Sequence, residues 1–517
     1  MSDTESFDAY IDDMDEDDQE FFEDDSMNES DDGFLDDDQD LGFSAIVSEK
    51  DRKKSYEVDF TVWSVEDIVR NQEKEITDVS NILGLERQHS ATLLRYFRWS
   101  KERLIEKFVD NPENVVQRAG VVLDETRAPR FIRVPNFMCE ICCDDDESME
   151  TLALSCNHRF CRGCYEHYLT QKIKEEGESR RIECPAADCN LIIDEKTVQM
   201  VVTPEVHQRY RDLLNRTFVD DNDFLRWCPA PGCEYAVECH VPSTSLATIV
   251  PTVKCNCGQR FCFGCGLDDH QPAICPIVKR WLQKCADDSE TANWISANTK
   301  ECPKCHSTIE KNGGCNHMTC RKCKYEWCWV CMGPWTEHGT NWYNCNRFDE
   351  KNSTEARDAQ TRSRASLERY LHYYNRYANH EQSAKLDQDL YQKTERKMEE
   401  MQLTSDLSWI EVQFLRKAVD VLLEARMTLK WTYAFAFYLA KDNMTELFED
   451  NQRDLELATE QLSELLEQPI DRERIIELKQ SVLDKATYVS ARREVMLGDT
   501  AQGLIENRWK FIVPTEK

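Results

Sequence analysis

The sequence has no apolar segment long enough to cross a membrane. Its densest apolar stretch, residues 432–440, is about half the length of roughly 18–20 residues that a bilayer-spanning helix needs. The N-terminus also lacks a basic segment followed by an apolar core, so no secretory signal is predicted. We therefore expect no membrane partner and a cytoplasmic location. The basic run 50–54 is too short to establish nuclear import, and the nucleus is left open as a second location.

Positive charge is scarce. The 517 residues include 64 Lys and Arg against 98 Asp and Glu, a formal net charge of −34. Nonspecific nucleic-acid binding needs clustered basic side chains, so this composition argues against a nucleic-acid partner. Residues 1–46 contain 20 acidic residues and no basic one, and such a self-repelling segment buries too little apolar surface to fold. We expect an acidic, disordered tail over residues 1–57.

Glycine is absent from residue 340 to residue 497, and Pro469 is the only proline in that stretch. So few helix-breaking residues over such a length predict long helices. Apolar residues recur at helical spacing from Phe414 to Leu423. Two further helices are predicted at about 443–467 and 471–497. Together these segments predict an antiparallel helical bundle over residues 354–517.

The segment 58–120 also has a helical pattern. Ser64 and Thr77 each precede acidic residues in the manner of helix N-caps, and spaced leucines can line a small core. We therefore expect a three-helix bundle here. Further helices are predicted between the cysteine-rich parts of the chain: connecting helices over 196–226 and a linker helix over 279–298.

All 25 cysteines lie between residue 139 and residue 345, so the rest of the chain has none. In a cytosolic chain, Cys-x-x-Cys pairs interleaved with histidines indicate metal ligands rather than disulfides. The pairs form three modules, each with seven cysteines and one histidine, which is enough for two tetrahedral zinc sites. We expect six zinc ions, in modules at 135–195, 227–278 and 299–347.

The spacing of the ligand pairs in the first module favours a cross-brace, in which alternate pairs bind the same ion. Its two predicted ligand sets are Cys139, Cys142, Cys161 and Cys164, and Cys156, His158, Cys184 and Cys189. In the second module the pairs are assigned in sequence order. Its two sets are Cys228, Cys233, Cys255 and Cys257, and Cys262, Cys265, His270 and Cys275.

The third module admits two assignments. The sequential one has the sets Cys302, Cys305, Cys320 and Cys323, and Cys328, Cys331, His338 and Cys345. It leaves Cys315 free, whereas a cross-brace would use Cys315 and His317 and omit the last histidine and the last cysteine. Gly313 and Gly314 favour the free thiol, because two glycines allow an exposed turn that presents it, and His317 could serve it as a base. Spacing keeps both assignments open. The remaining cysteines are Cys143, Cys239 and Cys285.

The order of the modules and four local stretches resemble the Ariadne-type RING-between-RING E3 ubiquitin-protein ligases. The stretches are RFCFGC (260–265), ECPKCHSTIEKNGGCNHMTC (301–320), CWVCMGPWTEHG (328–339) and WYNCNRF (342–348). The resemblance covers about residue 59 to the C-terminus and implies a multidomain, mainly α-helical fold with small zinc-stabilised modules. Its parts are a UBA-like helical domain (58–120), a first RING (135–195), an in-between-RING module (227–278), a catalytic RING-like module (299–347) and a C-terminal Ariadne helical bundle (354–517).

The resemblance also implies the activity of a ubiquitin transferase. Cys315 would accept ubiquitin from the thioester of a ubiquitin-conjugating enzyme (E2) and pass it to a substrate lysine. His317 can take the proton of the attacking amine. The resemblance favours the sequential zinc assignment, and it implies an E2, ubiquitin and protein substrates as partners. The alternative is a non-catalytic RING scaffold that activates an E2 without a covalent intermediate.

Further positions take their expected roles from the resemblance. Ile141 lies where the family's RING contacts the E2, and Asn190 lies where many scaffold-type RINGs carry Arg or Lys. The bundle of this family is autoinhibitory, and the positions that match its closed state are Leu386, Asp387 and Glu460. The UBA-like domain docks in this family on neddylated cullin-RING ligases, and whether this chain keeps that partner is left open.

Overall fold

The computed structural model describes eight parts of the chain. They are residues 54–123, 129–287, 299–311, 313–338, 345–348, 359–404, 413–468 and 475–514. The acidic tail predicted over residues 1–57 lies almost entirely outside them. Within the described parts there are twelve α-helices and eleven three-residue strands. Among these helices none is long and apolar enough to span a bilayer.

The first four helices form a small N-terminal domain. α1 (Val65–Leu83) begins at a capping box, in which Ser64 and Asp67 each accept the other's backbone N–H through their side chains. It ends at Gly84, whose φ of +67° closes the helix in the left-handed conformation. The other helices are α2 (Arg87–Tyr96), α3 (Lys101–Asp110) and α4 (Pro112–Arg118). Their apolar faces pack around Ile68, Leu94 and Leu104.

This domain differs from the predicted three-helix bundle. Thr77 does not start a helix but lies inside α1, where its hydroxyl donates to the Glu73 carbonyl at 2.6 Å. The domain also has a fourth helix, α4, which begins after Asn111, whose side chain accepts the N–H of Asn114 at 3.1 Å. Extending an existing helix is easier than nucleating a new one, so the cap-like signal at Thr77 is overridden.

A strand joins this domain to the second cysteine-rich module. β1 (Thr61–Trp63) pairs antiparallel with β5 (Ala236–Glu238), which in turn pairs with β4 (Leu225–Trp227). Trp63 Nε1 also donates to the Glu238 carboxylate at 3.2 Å. The sequence contains no signal for this pairing, since three residues are too few for a periodic pattern and the partner strand is distant in the chain.

The predicted connection over 196–226 contains two helices, α6 (Glu195–Val201) and α7 (Pro204–Asp220). α7 holds two parts of the molecule together, because Tyr210 packs in the core of the first cysteine-rich module and Phe218 in the core of the N-terminal domain. Trp99 meets Phe218 edge to face, with the ring centroids 4.7 Å apart.

The three cysteine-rich modules are built on short antiparallel hairpins. The first contains β2 (Thr151–Ala153), β3 (Arg159–Cys161) and the helix α5 (Arg162–Lys174). The second adds β6 (Thr252–Lys254) and β7 (Arg260–Cys262) to β4 and β5. The third contains β8 (Thr299–Glu301) paired with β9 (Thr308–Glu310), and β10 (His317–Thr319) paired with β11 (Glu326–Cys328). Each hairpin brings residues from two chain segments to one end of its module.

A helix after the second module docks on the C-terminal bundle. α8 (Cys275–Asp287) carries Trp281, which is fully buried. The indole lies against the rings of Tyr377 and Phe437, with centroids 5.4 and 5.3 Å apart. α8 supplies the start of the linker helix predicted over 279–298, and the part from 288 onward lies outside the described residues.

Four helices form the C-terminal bundle: α9 (Ala359–Thr404), α10 (Phe414–Tyr438), α11 (Asn443–Glu467) and α12 (Ile475–Ile505). α10 is buried along most of its length and packs against the other three. α12 runs past Gly498 and beyond the predicted end near residue 497, because one glycine costs only about 1 kcal/mol in a helix. The bundle shares one apolar core with α8.

Candidate active site and zinc centres

Most of the predicted zinc ligands lie in compact groups of four. Within each of five groups, the ligand atoms are all within 4.8 Å of one another. The five groups are Cys139, Cys142, Cys161 and Cys164; Cys156, His158, Cys184 and Cys189; Cys228, Cys233, Cys255 and Cys257; Cys262, Cys265, His270 and Cys275; and Cys302, Cys305, Cys320 and Cys323. The first module is therefore cross-braced, and the second is sequential.

The remaining predicted ligands of the third module also come together. Cys331 Sγ lies 3.7 Å from His338 Nε2, and the Cys345 thiol interacts with the thiols of Cys328 and Cys331. The third module is thus arranged sequentially. The alternative cross-brace through Cys315 is not formed, because that sulfur contacts other groups.

The geometry of these groups fits zinc rather than disulfides. Neighbouring sulfurs lie 3.5 to 3.8 Å apart. A tetrahedral ion with Zn–S bonds of about 2.3 Å would hold its sulfurs about 3.8 Å apart. A disulfide would need roughly 2.05 Å. The donor sets, three or four sulfurs with at most one imidazole, are those of closed structural zinc sites.

Two histidines of these groups are oriented by backbone carbonyls. His270 Nε2 lies 3.2 Å from Cys265 Sγ, and its other nitrogen, Nδ1, lies 2.6 Å from the Ala273 carbonyl oxygen. In the same way His338 Nδ1 lies 3.3 Å from the Pro334 carbonyl oxygen. Such a contact fixes the tautomer that leaves the opposite nitrogen free to bind a metal.

Cys315 lies between the two hairpins of the third module, in the loop that leads into β10. It is only 8% exposed. Its sulfur accepts the backbone N–H of His317 at 3.4 Å and lies 3.9 Å from the Glu460 carbonyl oxygen. Burial, followed by the nearby Glu460 carboxylate, raises the pKa of the Cys315 thiol well above its ordinary value. The sulfur is therefore a covered, protonated thiol in this arrangement.

The ring of His317 is held in place beside this loop. It stacks on Trp335, with the centroids 4.4 Å apart and the planes 7° from parallel. Its Nε2 lies 3.3 Å from the Glu326 carboxylate, and its Nδ1 lies 3.7 Å from that of Glu464. The Nε2 contact lacks hydrogen-bond geometry. The imidazole is thus oriented by a ring and two acids, while the contact of His317 with the Cys315 sulfur is made by its backbone N–H.

The cover over Cys315 is supplied by the C-terminal bundle through a buried arginine. Arg426 of α10 is fully buried and pairs with two carboxylates, Asp387 (Nε to Oδ2, 3.2 Å) and Glu460. Its remaining nitrogen donates to the Gly314 carbonyl oxygen at 3.0 Å. One cation is thus shared by two buried acids and binds the chain beside the thiol.

The two glycines before Cys315 permit a close approach rather than an exposed turn. A Cβ atom on Gly314 would lie 2.1 Å from Asp387 Oδ1, and one on Gly313 would lie 2.5 Å from Glu467 Oε1. Neither glycine has a positive φ. The expectation that they present the thiol at the surface is therefore wrong in this arrangement. Their missing side chains let carboxylates of the bundle lie directly on the loop.

One face of α11 contributes three acids to this cover. Glu460, Glu464 and Glu467 recur at the spacing of residues that share a helix face. Glu460 faces the side-chain amide of Asn316, and Glu464 faces the imidazole of His317. Glu467 accepts the backbone N–H of Cys315. The bundle thus places a carboxylate against each of these three groups of the loop.

A buried lysine completes the contact. Lys311 Nζ donates to Asn316 Oδ1 at 3.1 Å within the module, and to Asn379 Oδ1 at 3.0 Å and Ser383 Oγ at 2.8 Å on α9. Burial lowers the pKa of Lys311 to about 8. Sequence analysis missed Lys311, Asn316 and Arg426. The available signal for Arg426 was an arginine within the most apolar helix of the chain.

Models of known domain families match five parts of the chain. The UBA-like domain of the E3 ubiquitin-protein ligase ARIH1 matches residues 70–110, and the zinc finger of the C3HC4 type (RING finger) matches residues 139–186. The IBR domain described as a half RING-finger domain matches residues 208–275, and a second IBR domain model matches residues 297–346. The Ariadne domain matches residues 368–494. These matches follow one another in the order of the modules.

Curated relatives match nearly the whole chain. The E3 ubiquitin-protein ligase dbl4 of Schizosaccharomyces pombe is 56% identical over 92% of this chain and 94% of its own length. The E3 ubiquitin-protein ligase ari-1.1 of Caenorhabditis elegans is 47% identical over 90% of this chain and 92% of its own length. Human E3 ubiquitin-protein ligase ARIH1 is 44% identical over 88% of this chain and 82% of its own length. The chain belongs to the Ariadne family of RING-between-RING E3 ubiquitin-protein ligases. This confirms the predicted family and fold class, and it makes the chain a ubiquitin transferase.

The RING of this Ariadne protein presents apolar side chains near its first zinc group. Ile141 is 49% exposed and Met138 is 59% exposed. Asn190, after the last cysteine of the RING, is also exposed, and Gly120 at the end of the UBA-like domain packs closely on its carbonyl oxygen. The predicted E2 contact at Ile141 is therefore accessible.

In the Ariadne domain, two of the three predicted closed-state residues touch the loop that carries Cys315. Asp387 and Glu460 do so as described, and both are buried. Leu386 is half-buried on α9, beside Asp387. The cysteines outside the metal groups differ in access, since Cys143 is exposed, Cys285 is partly buried and Cys239 is buried.

Proposed function

We propose that this Ariadne protein transfers ubiquitin through a thioester on Cys315. The observation that supports this most directly is that Cys315 lies outside the metal groups, while the other eight sulfur and imidazole ligands of its module form two complete sets. A module held by two zinc ions with one thiol left over suits a covalent relay. A pure scaffold would have no use for such a thiol.

In the first step, the Cys315 thiolate attacks the C-terminal carbonyl carbon of ubiquitin on the E2. The carbonyl π pair moves to oxygen, and on its return the bond to the E2 sulfur breaks. The E2 thiolate leaves and takes up the proton that Cys315 lost. Once the cover over Cys315 is withdrawn, one cysteine thioester is exchanged for another, so the exchange is nearly balanced in energy. The exposed Ile141 suits docking of the E2 on the RING.

In the second step, a substrate lysine attacks the thioester on Cys315. The C–N bond forms, the C–S bond breaks, and Cys315 leaves as a thiolate. A lysine of ordinary pKa, about 10.4, is almost entirely protonated at neutral pH, so a base is needed to remove the amine proton. His317 lies two residues from Cys315 and has a ring oriented by Trp335. We assign it as that base.

Six zinc ions, one for each ligand group, complete the proposal. Bound zinc would supply the bonds that hold short hairpins and loops together, worth roughly 10–16 kcal/mol per structural site. The third module would then hold its nucleophile loop without a large core. The protein's own residues carry the chemistry.

We further propose that the structure is the autoinhibited state. A thiol that is 8% exposed and covered by Arg426, Asp387 and Glu460 cannot meet an E2 thioester. Withdrawal of the Ariadne domain is therefore required before loading. Docking of the UBA-like domain on a neddylated cullin-RING ligase and a cytoplasmic location stay predictions.

The relay is tested with the full chain carrying Glu460→Ala, incubated with ubiquitin-charged E2 and run on a nonreducing gel. We expect a thiol-sensitive ubiquitin adduct, which Cys315→Ser converts to a stable oxyester. Cys143→Ser, at an exposed spare cysteine, is the matched control and should leave the adduct unchanged. Lysine discharge from the E2 without any adduct would support the non-catalytic scaffold instead.

A further inference from the structure

Two N–H donors of one residue converge beside the nucleophile. The backbone N–H of Asn316 donates to Glu460 Oε2 at 2.5 Å, and its side-chain Nδ2 donates to Glu460 Oε1 at 2.7 Å. The adjacent Cys315 sulfur lies 3.9 Å from the carbonyl oxygen of the same glutamate. A carboxylate therefore occupies a position next to the thiol that is ready to receive negative charge on oxygen.

The donors and the acceptor belong to different domains. Asn316 is part of the catalytic module, whereas Glu460 is on α11 of the Ariadne domain. When the bundle withdraws, the carboxylate leaves with it. The two donors stay, because one is the backbone of the residue that follows the nucleophile and the other is fixed within the module.

Lys311 fixes the side-chain donor. Its ammonium can only donate, and it donates to Asn316 Oδ1 at 3.1 Å. The amide oxygen must therefore face Lys311, so the amide NH2 faces the thiol side of the loop. Lys311 is 4% exposed and loses its bonds to Asn379 and Ser383 when the bundle leaves, but its bond to Asn316 lies within the module.

We propose that Asn316 forms the oxyanion-binding site for acyl transfer at Cys315, with Lys311 as its positioning residue. Glu460 occupies this site in the closed state as a stand-in for the reacting oxygen. The inference rests on the proposed thioester relay. In both steps a nucleophile, first the Cys315 thiolate and then the lysine amine, adds to the ubiquitin carbonyl carbon. The π pair moves to oxygen, where the two N–H groups of Asn316 bind it until the C–S bond breaks.

A purely structural role would confine Asn316 to holding the bundle. The test is therefore made in full-chain Glu460→Ala, where both hydrogen bonds to Glu460 are gone and the bond that Asn379 Nδ2 donates to Asn316 Oδ1, at 3.0 Å, remains. Loss of that remaining bond would open the site further and would not slow transfer. Single-turnover loading from the charged E2 and discharge to lysine are measured for Glu460→Ala with and without Asn316→Ala. We expect both rates to fall by about 10²–10³, the usual effect of removing an oxyanion donor. Alkylation of Cys315 by iodoacetamide should be unchanged, since that reaction forms no oxyanion.

The positioning role is tested in the same background with Lys311→Met. We expect a smaller loss in both acyl steps and recovery with Lys311→Arg. Alkylation of Cys315 should be no slower than in the parent, since Lys311→Met also removes the bonds to Asn379 and Ser383 of the bundle. Lys304→Met, at an exposed lysine of the same module, is the matched control and should behave as the parent.

Three other outcomes of these measurements would overturn the role of Asn316. Parental rates of loading and discharge for Asn316→Ala would overturn this inference alone. A parallel loss of alkylation would also overturn it, because the residue would then act by holding the loop. Failure of the Glu460→Ala parent to form any thiol-sensitive adduct would overturn the relay itself, and this inference with it.

Discussion

Replacing Arg426 with methionine should open the catalytic site. Methionine is similar in length and remains apolar, so α10 can keep its packing. The change leaves Asp387 and Glu460, which are 1% and 4% exposed, without their shared cation. It also removes the hydrogen bond to the Gly314 carbonyl oxygen. In the open state these acids reach water, so the loss falls on the closed state.

The size of the effect follows from the burial of these charges. Removing one partner of a buried ion pair costs about 3–5 kcal/mol, because the other charge is left uncompensated. Since each 1.4 kcal/mol is a factor of ten, the closed state should lose a factor of roughly 10²–10³ relative to the open one. That change would convert a rarely open site into one that is open for a large fraction of the time.

The assay is the rate of Cys315 alkylation by iodoacetamide, measured by mass spectrometry of the peptide that contains it. Cys143, which is exposed in the RING, provides an internal reference in the same sample. Arg416→Met, at an exposed arginine on the same helix, is the matched control. We expect Cys315 alkylation to rise by up to the same 10²–10³ in Arg426→Met only, with Cys143 unchanged.

One pair of results would show that Arg426 does not hold the bundle over Cys315. If Arg426→Met kept a folded bundle by circular dichroism while Cys315 stayed as slow to alkylate as in the parent, the buried arginine would not be what holds the cover in place. Equal acceleration at Cys143 would instead indicate loss of structure in the RING.

Three further predictions concern the same contacts and the zinc groups. Gly314→Ala should expose Cys315 to alkylation, since its Cβ would clash with Asp387, whereas Gly498→Ala, with open space around it, should not. Glu449 of α11 pairs with Arg347, which follows Cys345 of the third module, with Nε and Oε2 3.3 Å apart. Burial raises the pKa of Glu449 to about 7, although Arg347 opposes this, so this contact between bundle and module should weaken as pH rises from about 4.5 through 7. A comparison of Cys315 alkylation at pH 6 and pH 8, corrected for thiolate fraction, should show this, and Glu449→Gln should abolish it. Chelators should release six zinc ions per chain and unfold the cysteine-rich modules while the helical signal of the bundle persists; a markedly lower count by metal analysis would contradict the ligand assignment.

The sequence was most informative where structure is determined locally. Ligand spacing limited the cysteine groups, because two ligands as close in the chain as Cys139 and Cys142 converge on one ion. Ser64 marked the start of α1 through a cap three residues long. The prediction that a helix starts at Thr77 was wrong, because Thr77 lies within α1 and its hydroxyl bonds to the Glu73 carbonyl instead of capping a new helix. The strand β1 was missed because its stability comes from a partner far along the chain.

The candidate site shows the same division. The free thiol and its histidine were found in the sequence, since spare ligands and short motifs are local. Arg426 and Lys311 were not, because a buried cation is recognisable only when its acceptors on other helices are known. The glycines before Cys315 were recognised, but their purpose was misjudged for the same reason.

The sequence by itself determined the family, the order of the modules, most of the helices and the metal-ligand groups of the first two cysteine-rich modules, since these depend on residues close together in the chain. Only the tertiary structure decided that the Cys315 thiol is covered. The acids on one face of α11 meet the donors of a loop more than a hundred residues away, and long-range packing alone brings them together.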